Sequence, residues 1–166
     1  MLDLATVGRG APVTPRRLFD EVRQLLDGEN FVRLYRLTES YNLGTVLAHG
    51  SDRMGRPERE LDWHRQGYVG APRQWSELIY ASRDDEVVAS LAPGGEQRSS
   101  AFKKLDETPD AIVLVYDASA FEQVADRQYA IKVGESFREA LRAVLRTTPE
   151  VQRISMVSPA RKSRTD

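Results

Sequence analysis

The sequence predicts a single α+β domain with a mixed or largely antiparallel sheet. Three observations predict it. The chain has 166 residues, one domain's worth, which can bury a sizeable core without a disulfide or metal staple. Strand-like runs are short and alternate only loosely with helical patterns, in the order helix, strand, helix, strand, helices, strand, strand, helix, strand, unlike the regular βαβ repeat of a parallel sheet. The apolar run from Ala111 to Tyr116 marks a strand buried on both faces.

The elements follow in chain order. Residues 1–13 form a flexible lead that closes on Gly8-Arg9-Gly10-Ala11-Pro12. Thr14 is an N-cap and Pro15 the first helical position, where a missing N–H costs nothing. Leu18, Phe19, Val22, Leu25 and Leu26 make one helical stripe that Gly28 stops. A strand runs from Phe31 to Thr38, with Arg33, Tyr35 and Leu37 on one face and Leu34 and Arg36 on the other. A short helix from Tyr41 to Ala48 ends at His49-Gly50. Residues 51–76 are irregular. Glu77 to Ser82 is a second strand, and Asp84 caps a helix reaching about Leu91 that Pro93-Gly94-Gly95 breaks. A short helix is expected over 97–105 and strands over Ala111–Ala118 and Tyr129–Val133. The stripe Phe137, Ala140, Leu141, Val144, Leu145 predicts a helix from Glu135 to Arg146, and Val151–Val157 a last strand. The domain spans 14–158, and 159–166 form a basic tail.

Composition narrows the chemistry. With no cysteine, a disulfide scaffold, a thiolate zinc site and a cysteine nucleophile are excluded. Two histidines are too few for a histidine-rich metal centre, and His49, Asp52 and His64 match no standard ligand spacing, so no metal is expected. A net charge of −1 argues against a protein whose affinity rests on wrapping nucleic acid, and with the poor metal-ligand set against a small nuclease. The start of the chain has no signal-peptide pattern and no run approaches membrane-span length. The expected location is the cytoplasm with no membrane partner, export by a non-classical route aside. Gly94-Gly95 and Gly8-Arg9-Gly10 lack the strand–glycine–helix context of a phosphate loop. Arginine, tyrosine, serine and carboxylates remain.

Three strand-borne clusters carry such residues: Leu34-Tyr35-Arg36-Leu37-Thr38, followed by Asn42-Leu43 and His49-Gly50; Leu78-Ile79-Tyr80-Ala81-Ser82, followed by Asp84-Asp85; and Val113-Leu114-Val115-Tyr116-Asp117. Over most of 31–135 these short motifs resemble the ADP-ribosyltransferase family. The resemblance implies an α+β domain whose sheet is split around a cleft with flanking helices, and NAD as the substrate. It implies that Arg36 and Thr38 hold NAD, that Tyr80 packs on the nicotinamide, and that Ser82 braces the ribose or the glutamate. The family's catalytic glutamate lies on or before a late strand, often as Glu-x-Glu. That motif is missing here, and Glu135 is the first candidate, with Glu122 and Glu139 as alternatives. The competing reading of Glu135 is a favourable charge at a helix start.

These residue types suit the chemistry. Breaking the nicotinamide–ribose bond develops oxocarbenium-like charge, which a carboxylate stabilises. A guanidinium offers a planar fork of donors to phosphate or ribose oxygens. Each residue also has a plain structural reading: Arg36 in a salt bridge, Tyr80 in cross-strand packing, Ser82 in a turn or cap.

The 51–76 segment holds Arg53, Arg56, Arg59, Arg65, Arg73 and both tryptophans. It is expected either as a solvated loop neutralised by Glu58, Glu60 and Asp62, or as a mobile flap whose Trp63, Tyr68 and Trp75 stack on a base or target side chain. The leading expectation is an enzyme transferring ADP-ribose from NAD to a protein, nucleic-acid or small-molecule acceptor, as in a toxin or phage-related factor. The alternative is a non-catalytic interaction module that binds a partner protein through 51–76.

Overall fold

In a computed structural model, which describes residues 14–53, 58, 60–93, 110–147 and 151–154, two antiparallel sheets and the helices around them share one hydrophobic interior. Helix α1 (Pro15–Leu25) starts as the sequence predicts, with the Thr14 hydroxyl accepting the Arg17 N–H at 3.1 Å. Strand β1 (Arg33–Glu39) leads through a 3₁₀ turn into helix α2 (Leu43–His49), which Gly50 closes at φ 84°. The expected strand over 77–82 divides in two. Strand β2 (Leu78–Tyr80) joins one sheet, and β3 (Ser82–Arg83) joins the other. Between them the Ala81 N–H turns to the Arg127 carbonyl. Helix α3 (Asp84–Leu91) begins with the Glu86 carboxylate accepting the Arg83 N–H at 2.8 Å, so Glu86 rather than Asp84 caps it.

Strand β4 (Ala111–Asp117) is followed by the hairpin of β5 (Phe121–Ala125) and β6 (Gln128–Ile131). The expected helix over 135–146 is corrected. Only Phe137–Ala140 is helical (α4), and Leu141–Arg146 is strand β7, paired antiparallel with β4. The stripe spacing fits a helix locally, but β4 lies mid-sheet and needs a ladder partner on each edge, and that tertiary demand overrides local preference. Strand β8 (Gln152–Ile154) completes the larger sheet, within the expected 151–157. The lead 1–13, the helix expected over 97–105 and the tail 159–166 lie outside the described residues, of which no helix is long and apolar enough to cross a membrane.

The larger sheet runs β3-β1-β4-β7-β8 and the smaller β2-β6-β5. Strand β4 is buried from Ala111 to Tyr116, as its unbroken apolar run predicts, because both faces of the larger sheet are covered. One face, through Tyr35, Val113, Val115, Ala143 and Leu145, packs on Leu18, Phe19 and Val22 of α1. The other, through Leu34, Ile112, Leu114 and Tyr116, packs on Ile79, Phe121, Tyr129 and Ile131 of the smaller sheet. The outer face of the smaller sheet is covered by Leu61, Trp63 and Tyr68.

Three tyrosines tie these layers together. Tyr35 donates to Asp84 at 2.7 Å, Tyr129 to Glu86 at 2.7 Å and Tyr116 to the Gly50 carbonyl at 2.6 Å. Burial, before any other cause, raises all three hydroxyls above the ordinary tyrosine range; the neighbouring carboxylates of Asp84 and Glu86 add to it for Tyr35 and Tyr129. The unfolded chain therefore releases these protons first. Their stabilisation is complete below about pH 10 and is lost as pH rises beyond it. Urea midpoints measured from pH 8 to 11 are expected to fall above pH 10, and the fall should shrink in Tyr116→Phe.

Candidate functional site

The site grows from β1. By strand alternation Leu34, Arg36 and Thr38 face the smaller sheet, opposite to Tyr35 and Leu37. Where the two sheets diverge at Ala81, Arg36 reaches across. It donates Nη1 to the Tyr80 carbonyl at 2.9 Å, Nε to Asp52 Oδ1 at 2.8 Å and Nη2 to Asp52 Oδ2 at 2.7 Å. The Arg36 and Asp52 side chains are only 12% and 7% exposed. Thr38 donates to Asp52 Oδ2 at 3.1 Å and accepts from the Asn42 amide at 2.8 Å. Three elements meet in this pair: β1, the start of the 51–76 segment, and the end of β2.

Its electrostatics follow from burial against pairing. Burial alone would raise the Asp52 carboxyl, but the hydrogen bonds and charge of Arg36, with the Thr38 hydroxyl, hold it below the usual carboxylate range. Burial would likewise lower Arg36, and Asp52 reverses this. The pair is ionised at all ordinary pH.

Gly50 makes the corner possible. Its positive φ lets the chain leave α2 and present Ser51 and Asp52 to β1. A Cβ at Gly50 would come 2.6 Å from the Arg138 Cα and 2.7 Å from the Phe137 carbonyl carbon. The start of α4 is thus pressed against the loop that carries Asp52, and the next residue, Glu139, stands one residue short of β7. Glu139 is exposed, and its carboxylate has no partner among the described residues.

The other expected site residues are distributed differently. Tyr80 lies on the same face of β2 as Leu78, the outer face, and its ring carries the Arg127 guanidinium 4.9 Å from the centroid; it meets Arg36 through its carbonyl only. Ser82 is directly opposite Tyr35 in the register, which puts it on the α1-facing side of the larger sheet, away from Arg36; its hydroxyl is buried without a partner among the described residues. Glu135 sits exposed in the turn after β6, where its N–H donates to the Lys132 carbonyl, and it makes no hydrogen bond or ion pair with Arg36, Tyr80 or Ser82. Glu122 is engaged by Arg73 at 2.9 Å. The structure therefore joins Arg36 and Thr38 and does not bring Ser82 or Glu135 to them.

In the 51–76 segment, Trp63 and Tyr68, expected as stacking groups of a flap, pack on each other and on the protein. Trp63 is 5% exposed, stacks on Tyr68 with ring centroids 4.4 Å apart and donates Nε1 to the Gly70 carbonyl at 2.9 Å. Arg73 is held by Glu77, Glu122 and the Ile131 carbonyl, and Arg53 lies 3.7 Å from the Trp75 ring centroid. Trp63 and Tyr68, with Leu61, cover the outer face of the smaller sheet through Leu78, Val124 and Ala130. Asp52 is the functional residue that the sequence does not point to; its only sequence context is the His49, Asp52, His64 set, which matches no ligand spacing.

The chain matches no protein-family model, no curated protein and no solved structure.

Proposed function

We propose that this protein cleaves the nicotinamide–ribose bond of NAD and transfers ADP-ribose to an acceptor, with Arg36 holding the nucleotide and Glu139 supplying the carboxylate. The observation that carries the reading is the contact between Gly50 and the Phe137–Arg138 backbone. It sets the Phe137–Arg138 backbone against the loop that carries Asp52, the partner of Arg36, and Glu139 is the next residue in the chain. That 141–146 is a strand supports choosing Glu139 over Glu135, since the resemblance implies a glutamate on or before a late strand. The division into two sheets at Ala81 also suits the split sheet that the resemblance implies.

In this mechanism the C–N bond breaks and nicotinamide leaves with the electron pair. The Glu139 carboxylate stabilises the oxocarbenium-like ribose and takes the proton of the attacking acceptor. Tyr80 acts on Arg36 through its carbonyl, not as a ring against nicotinamide, and Ser82 has no role at the reacting atoms.

The test is nicotinamide release from labelled NAD by the purified full chain. Glu139→Gln is expected to slow it about 10²–10³-fold, the scale of losing one electrostatic stabiliser, and Glu135→Gln to leave it unchanged. Equal rates for Glu139→Gln and the unaltered chain would overturn the carboxylate assignment. Neither turnover nor NAD binding by the unaltered chain would overturn the activity.

A further inference from the structure

Resting on the same reading of Arg36 as the nucleotide-holding residue, we propose that Asp52 is a positioning residue that decides what Arg36 recognises: uncharged oxygens of the nucleotide, a ribose hydroxyl or the carboxamide carbonyl, and not its pyrophosphate. A guanidinium has five N–H bonds. Three go to Asp52 and the Tyr80 carbonyl, and two are left without a partner among the described residues. Those two are fixed in direction, because the parallel bonds to Asp52 lock the guanidinium plane.

The lock is itself secured. Asp52 Oδ2 also accepts from Thr38, whose oxygen accepts from Asn42, so the carboxylate cannot rotate away without breaking a chain of buried hydrogen bonds. Charge then selects the ligand. The Arg36–Asp52 unit is neutral as a pair, and a phosphate brought to Arg36 would approach the Asp52 carboxylate as well. Displacing that carboxylate would strand it in a site where it is 7% exposed, a heavy penalty for a buried charge. A hydroxyl or carbonyl oxygen accepts from the remaining N–H bonds without either cost.

Inorganic pyrophosphate is the probe, followed by calorimetry on the full chain. The unaltered protein is expected to bind it weakly, and Arg36→Met should leave that affinity unchanged. Asp52→Asn keeps the shape and frees the cation, so pyrophosphate should bind at least about tenfold tighter, a gain of about 1.4 kcal/mol. That gain should vanish in Asp52→Asn/Arg36→Met. Unchanged pyrophosphate affinity in a folded Asp52→Asn, or an Arg36-dependent affinity in the unaltered chain, would overturn the proposal. Should Asp52→Asn not fold, the Arg36 Nε–H resonance of the unaltered ¹⁵N-labelled protein decides. It should stay in place as pyrophosphate is added, and a saturable shift would overturn the proposal. Pyrophosphate binding needs no NAD turnover, so failure of the activity and failure of this assignment are separately visible.

Discussion

Asp52→Ala is expected to lower the unfolding free energy by about 3–5 kcal/mol, the cost of breaking one side of a buried ion pair. The change strands the Arg36 guanidinium between the sheets with only the Tyr80 carbonyl to meet it, and removes the acceptor of the Thr38 hydroxyl. An exposed pair gives the contrast. Arg16 and Asp20 on α1 are 58% and 56% exposed, so Asp20→Ala should cost under about 1 kcal/mol. Urea unfolding of both variants at pH 7 checks this, and comparable losses would refute the special standing of Asp52. Replacing both partners with apolar residues, as in Arg36→Met/Asp52→Leu, should recover part of the loss, since no charge is left buried. The sign with pH is fixed by the lowered carboxyl. Its stabilisation is present above the unfolded carboxyl range near about 3.9 and disappears as pH falls through the folded value, so the deficit of Asp52→Ala should narrow in acid.

Gly50→Ala is expected to lose more than about 4 kcal/mol, since two penalties combine. A left-handed backbone costs a residue with a Cβ about 1–2 kcal/mol, and here the methyl would also overlap the Phe137–Arg138 backbone, which cannot rotate aside. Gly28 isolates the first penalty. It has φ 90° but nothing within 4 Å of an added Cβ, so Gly28→Ala should cost only about 1–2 kcal/mol. At about 2–4 °C per kcal/mol for a domain of this size, the two melting temperatures should be clearly separated. Equal shifts would mean that the contact with α4 yields easily. If Glu139 acts beside Arg36 as proposed, a folded Gly50→Ala, which disturbs the Phe137–Arg138 backbone, should release nicotinamide more slowly than Gly28→Ala.

The sequence made some of this legible for reasons that stay local. Thr14-Pro15 caps α1 through its own hydroxyl, Gly50 ends α2 through its own φ, and the apolar run of β4 announces burial whatever covers it. The alternation of β1 already set Arg36 on the face of Leu34. Strand β5 is not legible in the sequence: its burial skips two positions between Phe121 and Val124 and its register with β6 shifts between Gln123 and Ala125, so no period of two is visible. Strand β7 reads as a helix in the sequence because Phe137, Ala140, Leu141, Val144 and Leu145 satisfy a helical stripe.

The candidate site was half legible on the same grounds. Arg36 and Thr38 are two apart on one strand, so their shared face follows from the pleat. Ser82 and Tyr80 looked like part of one strand, and only the switch between sheets at Ala81 separates their directions.

By itself, then, the sequence determined the class of fold, the start of α1, the end of α2, the central strand and the face of β1 that carries Arg36, because each depends on neighbours within a turn or a pleat. The tertiary structure alone decided the carboxylate partner of Arg36. Asp52 lies sixteen positions from Arg36 and meets it only because α2 folds back at Gly50. The Phe137–Arg138 backbone sits against Gly50 just ahead of β7, which pairs with β4, and no local preference of either segment encodes that pairing.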